Sequence, residues 1–139
     1  MLDKELCQKI LTVGCFYKEP TGGISQVLHT YSQCVFKPFK FVATTSKGGR
    51  MVKLAVLANG FVKFVLLLIF DRKIKIVHIH TASNNSFKRK SIFVMLAKAF
   101  GKRVGLHVHS GAFLDYFSHN QDFVKSVFAK CDSVVALSD

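Results

Sequence analysis

The chain has 139 residues, 50% of them hydrophobic, with only 2 prolines, which excludes a disordered segment and supplies apolar material for one domain with its own core. Lys and Arg number 20 against 8 Asp and Glu, a formal net charge of +12, so the expected partner is anionic: a phosphorylated small molecule, a nucleic acid or an acidic membrane surface. Cys7, Cys15, Cys34 and Cys131 are widely spaced and form no C-x-x-C, which argues against a zinc ribbon or a disulfide framework and fits a reducing, cytoplasmic compartment.

The first nine residues carry acids and no continuous apolar core, so they do not read as a secretory signal. Lys9–Phe16 reads as the first strand, and Ile24–Phe36 as a helix with Ile24, Val27, Leu28, Tyr31 and Val35 at helical spacing. Phe39–Thr45 is the second predicted strand. The run Met51–Phe70 is as long as a bilayer requires, yet Lys53, Asn59, Gly60 and Lys63 interrupt it, and a lysine near the middle of a span costs about 2.5 to 3.5 kcal/mol. Lys53, Gly60 and Lys63 fall along one side, so the run reads as a buried helix packed on a sheet, ahead of an interfacial helix and of a true span.

Ile74–His80 is the third predicted strand and Ser86–Phe100 the next helix, with Ile92, Phe93, Leu96 and Phe100 on its inner face, a cap from Asn85 or Ser86, and Gly101 as its stop. Arg103–His109 is the fourth strand, Phe123–Ala129 belongs to another helix, and Asp132–Leu137 is the fifth strand. Strands alternating with helices call for a mostly parallel sheet of about five strands covered on both faces, an α/β, doubly wound, Rossmann-like fold. Ligands in such sheets bind at the carboxyl ends of the strands. Residues 17–23, 45–50, 81–89 and 109–113 are therefore expected to gather along one edge.

Two strands end alike, on His78-Ile-His80-Thr81 and on His107-Val-His109-Ser110-Gly111. Each His pair points to one side of its strand, and four imidazoles invite a metal reading; without a neighbouring carboxylate or cysteine to complete a ligand set, no metal is expected. His78 and His107 lie one pleat deeper and read as buried structural residues. His80 and His109 end the strands, and His109 stands between a packing role and a substrate contact.

Gly22-Gly23 opens the first long helix and reads either as a plain turn or as a backbone cradle for a diphosphate at a helix N-terminus; it matches neither G-x-G-x-x-G nor a P-loop. Lys88-Arg89-Lys90 places cations at a helix start, against the macrodipole, either as a solvated run or as part of an anion site. No Ser-His-Asp order and no paired-carboxylate motif supplies a catalytic base. The 14 phenylalanines follow core periodicity and no RNA- or DNA-binding module is present, so nucleic acid is not the expected partner.

The order of these pieces, Thr21-Gly22-Gly23-Ile24, then Val77-His-Ile-His80-Thr-Ala-Ser83 with Ser86-Phe87-Lys88-Arg89-Lys90, then Leu106-His-Val-His109-Ser-Gly111-Ala-Phe113, then Ser133–Ser138, resembles the N-terminal Rossmann-like domain of family 4 glycosyltransferases of the GT-B fold, of the bacterial polysaccharide biosynthesis type. The resemblance covers essentially all of residues 1–139. It implies the acceptor-side half of a retaining enzyme that moves a sugar from a nucleotide-sugar to a glycan or polyprenol-linked acceptor. Gly22, Gly23, Ser110 and Gly111 would then face the donor, His109 the reacting centre, and His80, Thr81, Asn84, Lys88 and Arg89 the acceptor. No cofactor or metal is implied. The C-terminal donor-binding domain of that family, with its E-x7-E signature, is not in this sequence, so the chain by itself is expected to be inactive and to share the nucleotide-sugar with a missing domain or a partner chain. The implied place is the cytoplasm, on the inner face of the cell membrane. A non-catalytic binding or scaffold domain of the same fold is the alternative.

Overall fold

The computed structural model describes residues 1–136. It opens with a short helix that the sequence reading missed, α1 (Lys4–Lys9), whose first amides, of Glu5 and Leu6, donate to the Asp3 carboxylate. Then follow β1 (Ile10–Cys15), α2 (Gly23–Thr30), β2 (Lys40–Thr45), α3 (Arg50–Phe70), β3 (Ile76–Thr81), α4 (Asn85–Ala99), β4 (Arg103–Val108), α5 (Phe113–His119), α6 (Gln121–Lys130) and β5 (Ser133–Ala136). Leu137 and Ser138, expected to end the last strand and follow it, lie outside the described residues.

The five strands form one all-parallel sheet in the order β2-β1-β3-β4-β5, the α/β, doubly wound, Rossmann-like arrangement. The chain leaves β1 toward β2 on one side and β3 toward β4 on the other. The crevice above the carboxyl ends of β1 and β3 is therefore a topological switch point.

Alternation along the strands makes two unlike faces. Leu11, Val13, Val42, Val77, Ile79, Val104 and Leu106 form an apolar face, packed beneath Phe64 of α3, Phe93 and Val94 of α4 and Val124 of α6. The opposite face carries Thr12, Gly14, His78, His80, Gly105 and His107, and α2 lies on it. A Cβ on Gly14 would stand 2.6 Å from Leu28 Cδ1, so this glycine lets α2 settle on the sheet. After α2 the chain makes one wider turn, Tyr31–Val35, closed by the Phe36 amide donating to the Tyr31 carbonyl at 2.9 Å.

Two helices sit otherwise than expected. α3 buries only Gly60, Phe64 and Leu68, a single i, i+4, i+8 row, and leaves Leu54, Phe61, Val62, Leu66 and Phe70 exposed. It packs on β2, the edge strand, and one strand offers too little width to cover an apolar helix. Glycine belongs to the sheet-facing row because any Cβ on Gly60 would collide with the Ala43 carbonyl oxygen. On α4, Ile92 and Phe100 are exposed, while Phe87, Lys90, Ser91, Phe93, Val94 and Ala97 face inward. Gly101, at φ 71°, ends α4 as anticipated, with the amides of Gly101 and Lys102 closing on the carbonyls of Lys98 and Ala97.

Candidate functional site

The two His-x-His runs meet on the α2 face. Register pairs His80 with His107 and His78 with Gly105, and the missing side chain at Gly105 leaves room for the His78 ring. Ring centroids are 4.3 Å apart for His78 and His80, 5.1 Å for His80 and His107, and 3.9 Å for His107 and His109. Tyr31 covers the group, 5.7 Å from His80 and 6.2 Å from His78.

Exposure does not follow strand depth, contrary to the sequence reading. His80, at a strand end, is 0% exposed, whereas His78 and His107, a pleat deeper, are half-buried. His80 is shut in by three imidazoles and by Tyr31, and His107 lies toward β5, where Val135 is 50% exposed. Burial holds all four imidazoles below their ordinary range. It is the main cause at His78 and His109, which are pushed down to about 4 with help from neighbouring imidazoles, and it acts on His80 most strongly and on His107 as well. At neutral pH these are uncharged rings that accept or donate hydrogen bonds or ligate a metal, and they are not imidazolium acids.

His109 begins the loop after β4. Its amide donates to the Thr81 carbonyl at 2.8 Å, and its Nε2 lies 2.8 Å from His80 Nδ1. Ser110 Oγ donates to Ser83 Oγ at 3.3 Å, so the loop after β4 is held to the end of β3 and to the loop that follows it. Thr81 is buried and donates to the Ala82 carbonyl, and Ser86 Oγ accepts from the Ala82 amide. Asn84, exposed at φ 56°, is the N-cap residue of α4 in place of the expected Asn85 or Ser86. Thr81 therefore shapes the loop, while Asn84, His109, Ser110 and Gly111 remain accessible along its rim.

Gly22 and Gly23 start α2 in open space, with nothing within 4 Å of a Cβ at either position. The Thr21 and Gly22 amides donate to Ser25 Oγ, which in turn donates to the Gly22 carbonyl. Capping thus occupies the Gly22 amide, and the Gly23 and Ile24 amides are the next donors of the first turn. Beside this turn, a cavity of ≈ 420 Å³ opens between the loops after β1 and β2, lined by residues that include Cys15, Thr21, Thr45, Lys47 and Lys53.

The basic run at the start of α4 separates. Lys88 is exposed, Arg89 faces α3 across an apolar cleft lined by Leu54, Leu57, Phe61 and Ile92, and Lys90 is 2% exposed. Sequence reasoning missed Lys90; its place three residues after Phe87 and four before Val94 was the available signal. Burial pushes its ammonium down to about 8, and the Arg89 guanidinium adds repulsion. Among the described residues no carboxylate pairs with it.

No protein-family model, curated protein or solved structure matches the chain.

Proposed function

We propose that the chain is the acceptor-side half of a retaining sugar transferase of the GT-B type, acting with a nucleotide-sugar-binding half on a lipid-linked glycan acceptor in bacterial polysaccharide biosynthesis. The observation that carries this reading is the wall at the carboxyl edge of the sheet, where the loop after β4 is held to the end of β3 through His80–His109 and to the loop that follows it through Ser83–Ser110. Such an edge, next to a topological switch point, is where an open parallel sheet takes its ligand.

In this reading the Gly23 and Ile24 amides in the first turn of α2 approach the donor diphosphate, which passes against Gly22 and Gly23 with the positive end of the helix behind them. Ser110 and Gly111 line the sugar. His109, neutral and fixed by His80, positions a hydroxyl of the donor sugar without giving up a proton. Lys88 and Asn84 face the acceptor, which in this reading lies at an anionic membrane surface on the cytoplasmic side, a setting that the exposed apolar side of α3 suits.

Transfer is measured after adding a polypeptide that carries the E-x7-E donor domain to the chain, with nucleotide-sugar and lipid-linked acceptor. Turnover is expected only in the mixture, and His109→Ala is expected to lower kcat by about 100-fold with the fold intact. Tight nucleotide-sugar binding by residues 1–139 alone, or turnover unaffected by His109→Ala, overturns the reading. Ligand binding without turnover in any mixture supports the non-catalytic alternative instead.

A further inference from the structure

We infer that His78, His80 and His107 form a binding site for a divalent first-row transition metal, with zinc(II) as the reference ion. One ring nitrogen from each of the three lies within 4.8 Å of the other two, on one face of the sheet. Three imidazole ligands and an open fourth position are a stable set for zinc, and imidazole also suits copper, nickel and cobalt. Tetrahedral bonds of about 2.0–2.1 Å hold ligand nitrogens about 3.4 Å apart, so small side-chain rotations close the set.

Two orphaned atoms support an occupant here. His80 Nε2 and Thr12 Oγ1 are both buried without a hydrogen-bond partner, and Thr12 is the register neighbour of His78 on the same face. Leaving a buried polar atom unpaired costs about 1–3 kcal/mol, and an unpaired His80 Nε2 within the three-histidine group marks a missing partner.

The contact between His80 and His109 completes the arrangement. When His80 Nδ1 donates its proton to His109 Nε2, 2.8 Å away, His80 Nε2 keeps a free lone pair. A histidine ligand ordinarily gives its other ring N–H to such an acceptor, which fixes the ring and makes the ligating nitrogen more basic. His109 is thus the positioning residue and His80 the ligand. The missing carboxylate or cysteine, which the sequence reading counted against a four-histidine metal site, is no obstacle for a three-histidine set.

This inference does not rest on the proposed transferase activity, and its test reads metal binding alone. The full chain is stripped with chelator and titrated with cobalt(II). One equivalent is expected to give the visible absorption of four-coordinate cobalt, bleached by zinc(II), with no near-ultraviolet thiolate band. His78→Gln and His107→Gln, both at half-buried positions, are each expected to weaken zinc binding more than about 100-fold, and His109→Gln by about 10- to 100-fold. His119→Gln, at an exposed position on α5, leaves it unchanged. Absence of the cobalt spectrum, a thiolate band, or affinity retained in the His78→Gln/His107→Gln double variant overturns the site.

Discussion

At the scale of single residues, Lys90 carries a cost of burial. With Lys90 2% exposed, its ammonium has lost most of its water without gaining a carboxylate among the described residues. Its folded pKa of about 8 lies below its ordinary 10.5, so between these values the unfolded chain binds more protons and stability rises with pH. Lys90→Met removes the cost and the slope together. In phosphate-free buffer the variant is expected to be roughly 3 kcal/mol more stable at pH 7, with the gap closing between pH 8 and 10.5. Denaturant melts across that range check it, and parallel pH profiles for the two proteins contradict it. The helical run Lys88-Arg89-Lys90 could be read from the sequence as basic, but which of its cations points inward depends on how α4 rolls on the sheet.

Among the elements, α3 shows how close packing and open exposure coexist in one helix. Its contact with β2 depends on Gly60, where backbone meets backbone with no space for a side chain. Gly60→Ala is expected to cost about 3 kcal/mol, the upper end for overpacking, whereas Gly22→Ala, at an N-cap in open space with extended backbone, should cost about 0.5 to 1 kcal/mol. Thermal melts of the two variants separate a glycine required for packing from one that merely begins a helix. Lys63 closes the edge by donating to the Phe41 carbonyl at 2.8 Å, which covers a β2 backbone group that would otherwise face solvent. Length and apolarity of this helix were plain in the sequence. That it would lie on an edge strand was not, because the strand order is set by crossovers between distant segments.

For the whole molecule, charge and apolar exposure act together. An 18-residue stretch of α3 has a mean hydropathy of 2.1, and α3 is the one helix among the described residues long and apolar enough to cross a membrane by length and composition. The chain carries +12. A helix this apolar, lying on a basic protein, is suited to rest on an anionic bilayer, with electrostatic attraction adding about 1 kcal/mol per cation near the surface. Flotation with phosphatidylglycerol vesicles is expected to carry the protein at low salt and lose it at high salt. Leu54→Gln together with Phe61→Gln and Leu66→Gln, all exposed positions, should weaken binding at low salt and move its loss to a lower salt concentration. Equal flotation of this variant and the parent contradicts an apolar contribution.

What the sequence by itself determined was local: strand and helix order from hydrophobic period, the Gly101 stop, the parallel sheet that follows from alternation, and the loops that end at its carboxyl edge. Period and capping act within a few residues, so a single segment carries them. Only the tertiary structure decided that four histidines share one face, that His80 is sealed while His107 is not, and that Lys90 turns inward. Those outcomes depend on register between β3 and β4, on the glycine at 105 opposite His78, and on Tyr31 arriving from the turn after α2. Each joins residues far apart in the chain, and the physical quantities that matter, burial and the direction of a ring nitrogen, come into being only when those segments pack.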